Sequence, residues 1–368
     1  MSSDVTNAMM NSVIPPVRIL LSAQALGQHQ AAIAEVMGAR PFELVSIESA
    51  VASGRRDIDI AFISRDVTGR STKHELAPAL QACYAVLRES PRLQWVHIHS
   101  AGADRQVYLD LRSRGVQIHT SSGANAEVVA QMALAGLLAL ARKFPQLMAA
   151  QRERRWAPLL GNQAPRDLAG QTVVLVGWGP IGQRIADFLR LLGMKLIVVR
   201  HSLPTAAVAQ ASSNTVRVEL VETPQPEQAM LINSLRMVSF KDFSTVLPQA
   251  DWLILACPLT DQTRRLVDAR ALALMPQGAG LINVARGEVV VEQDVIDALR
   301  SGQLGSAYLD VFEHEPLSAD SPLWTMNNVI VTPHTAGHSD GNAQRVLAMF
   351  LENLRRWGER APLQNSNA

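Results

Sequence analysis

Gly177, Gly179 and Gly182 lie in VVLVGWGPIG, residues 173–182, with the G-x-G-x-x-G spacing of a dinucleotide-binding fingerprint. Each glycine answers a physical need. Gly177 permits a tight turn, Gly179 lets backbone N–H groups approach a pyrophosphate, and Gly182 lets a helix pack closely on a strand. The helix opening at Pro180 and Ile181 presents the partial positive charge of its N-terminus to the phosphates. Three glycines at this spacing also arise by chance in a plain β-α-β crossover, so the context decides. Val173 to Val176 form an apolar run before the turn, and Ile185, Phe188, Leu189 and Leu192 recur at helical spacing after it. Gly193 stands where that helix should end, and Leu196 to Val199 is a second apolar strand. The chemistry implied is that of an enzyme using a nicotinamide cofactor.

Three polar residues come after apolar runs further along. INVARG (282–287) places Arg286, DVFEHEP (310–316) places Glu315, and TPHTAG (332–337) places His334. Ligands of open α/β sheets bind outside the carboxyl ends of the strands, so Arg286, Glu315 and His334 can converge on one crevice. Each alone has an ordinary reading: a surface arginine, a solvated glutamate, a hydrogen-bonded core histidine. His97, His99, His314 and His338 compete for the histidine role. The order and context of the three together favour a site.

The elements that must position them alternate. Val17 to Leu21, Phe42 to Ile47, Ile58 to Ile63, Trp95 to Ile98 and Val116 to His119 read as strands, with helical patterns such as Glu75 to Leu87 and Arg105 to Arg114 between them. That alternation predicts a parallel sheet covered by helices on both faces. A long helix over Asn125 to Arg142 is apolar around much of its circumference and should be buried against several neighbours. Gln151 to Trp156, with Arg152, Arg154 and Arg155, reads as a solvated surface. A second unit from Leu168 contains the fingerprint, with later strands at Leu253 to Ala256, Gly280 to Val284, Ser306 to Val311 and Val329 to Val331. Leu203 to Met237 mixes Ser, Thr, Gln and Pro with short apolar pieces and reads as an inserted surface excursion. The last helix, Asn342 to Trp357, should pack back on the first domain.

Bulk properties bound the rest. A chain of 368 residues suggests two domains, and 48% hydrophobic with 18% charged residues fits a globular enzyme. With 34 basic and 33 acidic residues the net charge is +1, which offers no footprint for nucleic acid or an anionic membrane. Cys83 and Cys257 are far apart and lack metal-ligand spacing, so we expect no metal and a reducing compartment. The first residues, MSSDVTNAMMNSVIPP, lack the pattern of a signal peptide and read as a disordered lead-in; no run is long enough to span a membrane. A cytoplasmic protein is expected.

In SAGAD (100–104), the fingerprint, CPLTDQT (257–263), MPQGAGLINVARG (275–287), DVFEHEP and TPHTAG, taken in this order, the chain resembles the D-isomer-specific 2-hydroxyacid dehydrogenases over about residues 55 to 355. The resemblance implies an α/β fold of two Rossmann-like or flavodoxin-like domains. The cofactor domain is inserted into the substrate domain: residues 1–120 with 336–368 form the flavodoxin-like substrate (catalytic) domain, and 121–335 the NAD(P)-binding Rossmann domain. It implies an oxidoreductase moving a hydride between NAD(P)H and the C2 carbonyl of a 2-keto acid to give a D-2-hydroxy acid, usually as a homodimer. In this reading His334 is the general acid, its ordinary pKa lying near neutrality. Glu315 orients the imidazole and favours its protonated form. Arg286 holds the substrate carboxylate and polarises the carbonyl through its planar fork. Backbone N–H groups of Ala101 and Gly102 also meet the carboxylate, and Asp310 contacts the nicotinamide end. Cys257, Pro258, Thr263, Val284 and Ala285 complete the cofactor set together with His334.

Three departures from the family pattern matter: the residues at the ribose position, one residue of the connector helix, and the length of the excursion. NAD-binding members carry an acidic residue about 20 residues past the glycines, on the ribose hydroxyls. Here Arg200, His201 and Ser202 occupy that stretch, which favours NADP; the alternative is that Arg200 merely stacks on adenine, with NAD also accepted. Gln131 replaces a usual glutamate in the connector helix. Arg65, in ISRDVTG, suits an acidic or phosphorylated substrate tail or a structural pair with Asp66. The excursion exceeds the usual connection. Family frequency points to glyoxylate and hydroxypyruvate. The rival reading is a dinucleotide-sensing interaction protein, like the corepressors that share the fold.

Overall fold

The computed structural model describes residues 15–72, 75–201 and 235–366, so most of the expected lead-in, Ser202 and most of the excursion lie outside the described residues. Two compact units emerge, residues 1–121 with 343–368 and residues 122–342. Residues 336–342 thus belong to the second unit rather than the first. Ala336 N donates to Asp310 Oδ2 at 3.0 Å, and Gly337 packs against Asn125, which ties that stretch down.

In the first unit, a five-stranded parallel sheet runs in the order β2-β1-β3-β4-β5. Its strands are β1 (Val17–Leu21), β2 (Phe42–Ser46), β3 (Ile60–Ile63), β4 (Trp95–Ile98) and β5 (Gln117–Thr120). Helices α1 (Ala23–Met37), α2 (Ile47–Ser53), α3 (Arg65–Thr68), α4 (Pro78–Arg88) and α5 (Gln106–Ser113) cross between them. β3 and β4 are buried at every position, as strands covered on both faces must be. The helix at Pro78–Arg88 starts later than the pattern from Glu75 suggests, because Pro78 can occupy only its first turn.

The second unit begins with α6 (Ala126–Ala141), α7 (Phe144–Arg152), β6 (Thr172–Val176), α8 (Pro180–Leu191) and β7 (Lys195–Arg200). It continues through β8 (Leu235–Ser239), α9 (Phe243–Val246), β9 (Trp252–Leu255), α10 (Ala269–Leu274), β10 (Ala279–Asn283), α11 (Glu292–Ser301), β11 (Leu304–Leu309) and β12 (Val329–Val331). Its seven parallel strands run β12-β11-β10-β9-β6-β7-β8. Leu235 to Met237, read as excursion, are instead part of β8, paired along β7 from Leu196↔Leu235 to Arg200↔Ser239. α6 is buried as expected, with Val129, Ala130, Ala133 and Leu137 in the same core as Val173, Ile185 and Tyr308. Among the described residues no single helix is long and apolar enough to cross a membrane, although the bent pair of α6 and α7 passes that test together. The last helix, α12 (Asn342–Gly358), joins the first unit, where Phe350 stacks on Phe62 with ring centroids 4.5 Å apart.

Candidate active site

The second sheet reverses its strand order between β6 and β9, and that is where the fingerprint turn sits. Gly177 has φ +108°, and a Cβ there would lie 2.5 Å from the carbonyl oxygen of Ala256 at the end of β9. A Cβ on Gly182 would overlap the carbonyl oxygen of Gly177. Gly179, the N-cap of α8, differs: its φ is −78°, and a Cβ would meet nothing within 4 Å. Two of the three glycines are therefore demanded by the fold. The third keeps clear the space in front of the N-terminus of α8, where an anion is favoured. This geometry fits a dinucleotide pyrophosphate.

The other cofactor candidates lie along the same carboxyl edge. Cys257 comes just after β9 and is buried, and its thiol pKa is pushed up to about 12 by burial. Thr263 is buried and donates through Oγ1 to the carbonyl of Pro258 at 2.7 Å, closing the 258–263 loop. Val284 and Ala285 are buried at the end of β10. Arg200 ends β7, and His201 is exposed just beyond it.

His334 and Glu315 meet. His334 Nδ1 donates to Glu315 Oε2 at 2.8 Å, and Phe312 N donates to Glu315 Oε1 at 3.2 Å. Burial alone would raise the pKa of Glu315. The His334 hydrogen bond and charge, the Phe312 N–H and the Arg286 charge outweigh it and hold the carboxyl below its usual range. The imidazole is half exposed, so with Nδ1 committed to Glu315, Nε2 is the nitrogen left to exchange a proton. His334 itself has φ +53°, a left-handed conformation rare for a residue with a Cβ. Such conformations persist only where surrounding bonds over-determine them, and they cluster at functional sites.

Arg286 is fixed from below. Buried Asn283 donates through Nδ2 to the Arg286 carbonyl at 3.0 Å and accepts from Ala285 N at 3.0 Å. The Arg286 guanidinium donates to the Ala285 carbonyl at 2.7 Å. Gly287 packs so tightly on Phe312 and Glu313 that a Cβ would overlap their backbones. The arrangement thus joins a fixed cation to a histidine–carboxylate pair at the carboxyl edge, which is suited to binding an organic anion and protonating it.

Comparison with known proteins agrees with this chemistry. The family description "D-isomer specific 2-hydroxyacid dehydrogenase, NAD binding domain" matches residues 134–225 and 220–336. The chain is 31% identical to the (S)-sulfolactate dehydrogenase of Chromohalobacter salexigens, covering 84% of this chain and 94% of that one. The chain belongs to the D-isomer-specific 2-hydroxyacid dehydrogenase family. It is 30% identical to glyoxylate/hydroxypyruvate reductase B of Salmonella paratyphi A over 73% of this chain and 76% of the relative. A solved family structure from Xanthobacter autotrophicus, in complex with NADPH and MES, aligns with a TM-score of 0.70 at 26% identity, covering 96% of this chain and 98% of that one. The enzyme is an NAD(P)-dependent 2-hydroxyacid dehydrogenase of two parallel-sheet α/β domains.

The structure also shows what holds Asp310, the first residue of DVFEHEP. Asp310 is buried, and its carboxylate accepts from Thr332 Oγ1 at 2.6 Å, Thr335 N at 2.9 Å and Ala336 N at 3.0 Å. Its backbone carbonyl accepts from His334 N at 2.8 Å. Asp310 therefore builds the loop that carries His334. Asn283 and Gly287 are contributors that the motifs hid, although both lie inside INVARG. Gln131 donates to Glu127 Oε1 at 3.0 Å, and Glu127 in turn pairs with Arg184 on α8. In the first unit, exposed Arg65 opens α3 after β3, while neighbouring Asp66 accepts from Ser64 Oγ at 2.5 Å. Ala101 and Gly102 come after β4, with Ser100 Oγ donating to the Gly102 carbonyl at 2.9 Å. Among the histidine competitors, His97 is fully buried and bonded to Ser121 Oγ at 3.0 Å, as a core histidine would be.

Proposed function

We propose that this enzyme reduces a small 2-keto acid to the D-2-hydroxy acid with His334 as proton donor, Glu315 as its orienting anion and Arg286 as carboxylate anchor. The 2.8 Å His334–Glu315 bond carries this reading, because it fixes the tautomer and leaves Nε2 to protonate the carbonyl oxygen. The reduced nicotinamide supplies the hydride when bound. Gly177, Gly179, Pro180, Ile181 and Gly182 would hold the pyrophosphate at the N-terminus of α8, with Cys257, Pro258, Thr263, Val284, Ala285 and Asp310 along the adjoining strand ends. The planar fork of the Arg286 guanidinium suits hydrogen bonds to the substrate carboxylate.

NADPH is the preferred cofactor in this reading. Arg200 ends β7 where a carboxylate would repel a 2′-phosphate, and His201 comes next. In this reading the backbone N–H groups of Ala101 and Gly102 and the cation of Arg65 are further substrate-binding groups. Arg65 suits a substrate with a second acidic group, such as the sulfonate of sulfolactate; glyoxylate and hydroxypyruvate are the simplest candidates.

The oligomer in this reading is a homodimer. Phe144 and Met148 are exposed on α7, and Trp156 beyond it is 94% exposed, a concentration of apolar surface suited to a second copy. The cytoplasm suits the unpaired thiols Cys83 and Cys257.

The test is oxidation of NADPH and of NADH with a panel of 2-keto acids, repeated with His334→Ala. Turnover lost in the variant with cofactor binding intact supports the assignment, and near-normal turnover sinks it.

A further inference from the structure

Tyr308 on β11 is 2% exposed, and its ring lies across α6 at Gly136, where a Cβ would sit 2.5 Å from Cγ of the tyrosine. The missing side chain at 136 is what admits the ring. From that seat the hydroxyl reaches Thr332 Oγ1 at 2.9 Å, and Thr332 Oγ1 reaches Asp310 Oδ1 at 2.6 Å. The donor order is set by the groups present. An ionised carboxylate only accepts, so the Thr332 proton points at Asp310. The Thr332 oxygen is then left to accept, and the Tyr308 O–H must donate to it. Burial pushes the Tyr308 pKa up to about 12, so the phenol keeps its proton at any working pH.

Resting on the reading of His334 as the proton donor, we propose that Tyr308 is a positioning residue for that histidine, acting through Thr332 and Asp310. Tyr308 aligns the Thr332 hydroxyl on the Asp310 carboxylate. That carboxylate, with the Asp310 carbonyl, gathers the N–H groups of His334, Thr335 and Ala336 into one turn. The turn imposes the left-handed backbone of His334 and delivers its Nδ1 to Glu315. Helix α6 thus reaches the proton donor through a phenol, a hydroxyl and a carboxylate in series.

The experiment compares Tyr308→Phe, Thr332→Val, Thr332→Ser and the double variant Tyr308→Phe/Thr332→Val in steady-state kinetics, alongside amide hydrogen exchange of residues 334–336. Tyr308→Phe keeps the ring and removes only the donor. We expect kcat to fall roughly three- to tenfold with KM nearly unchanged, as loss of one buried hydrogen bond implies, and the 334–336 amides to exchange faster. Thr332→Ser should stay near wild type. The double variant should be no worse than Thr332→Val alone, because groups acting in series are not additive. Unchanged kcat and exchange in Tyr308→Phe, or effects that multiply in the double variant, overturn the proposal. The premise is checked separately: His334→Ala that retains turnover would refute the proton-donor reading while leaving the exchange result to stand.

Discussion

Gly287 and Phe312 are in backbone contact so close that a side chain at 287 would overlap the Phe312 carbonyl. The contact locks the turn that presents Arg286 to the loop that presents Glu315. A methyl group must push the two apart, and misplacing groups by about 1 Å can cost ~10²-fold in rate. Gly287→Ala should therefore lose turnover by about that factor while still binding the nicotinamide cofactor. Kinetics and cofactor titration on the same preparation check it, and unaltered kcat would show that the contact does not set the spacing.

The fingerprint glycines should separate into two classes. Gly177→Ala meets both a positive φ and the Ala256 carbonyl, so it should lower the melting temperature of the cofactor-free protein. Gly179→Ala has an ordinary φ and open space, so the cofactor-free protein should melt as wild type does. Its cofactor affinity should fall by at least about tenfold, since the methyl occupies the approach to the phosphates. Melting curves with and without the nicotinamide cofactor, tried as NADPH and as NADH, distinguish the two.

Glu315 predicts an acid limb. Its carboxyl is held below the usual range, so its ionisation stabilises the fold fully above about pH 4.3. That contribution is lost as pH falls through the lower folded value. The stability difference between wild type and Glu315→Gln should shrink as pH falls below about pH 4. A difference that grows on acidification would contradict the sign.

His97 makes the first unit acid-sensitive. Burial first, then the charges of His119 and His99, lower its pKa from 6.5 to about 3. The neutral ring bonds Ser121 and packs against Phe350 with centroids 5.8 Å apart. Stability carried by the neutral ring is complete above pH 6.5 and is lost on acidification toward pH 3. The slope is on the order of 1.4 kcal/mol per pH unit. His119, also lowered by burial, adds to the same limb. Denaturant titrations at pH 7 and pH 4.5 should show the loss, and His97→Gln should flatten it.

Both thiols should be inert. Cys83 and Cys257 are buried, each with its pKa pushed up to about 12, so neither supplies thiolate at neutral pH. Native protein should react with a disulfide reagent only after denaturation.

Local sequence carried much of the site because the chemistry sits where strands end. VVLV before Gly177, AGLI before Arg286 and VIV before His334 are short apolar runs, and the residues just past a buried parallel strand lie at the carboxyl edge of its sheet. β8 escaped notice for a matching reason. It is an outer strand with one fully buried position and with Arg236 exposed, so it lacks the continuous apolar run of its neighbours.

The sequence by itself determined the set of parts: the two α/β units, the glycine turn, and an arginine, a glutamate and a histidine after successive strands. Those come from periodicity and turn chemistry, which are local. Only the tertiary structure decided which atoms meet. That Glu315 takes Nδ1 of His334, that Gly287 seats on Phe312, and that Tyr308 fits the gap at Gly136 depend on strands and helices brought together by burial. A residue's type limits what it can bond, but its partner is set by close packing across the fold, which no spacing along the chain encodes.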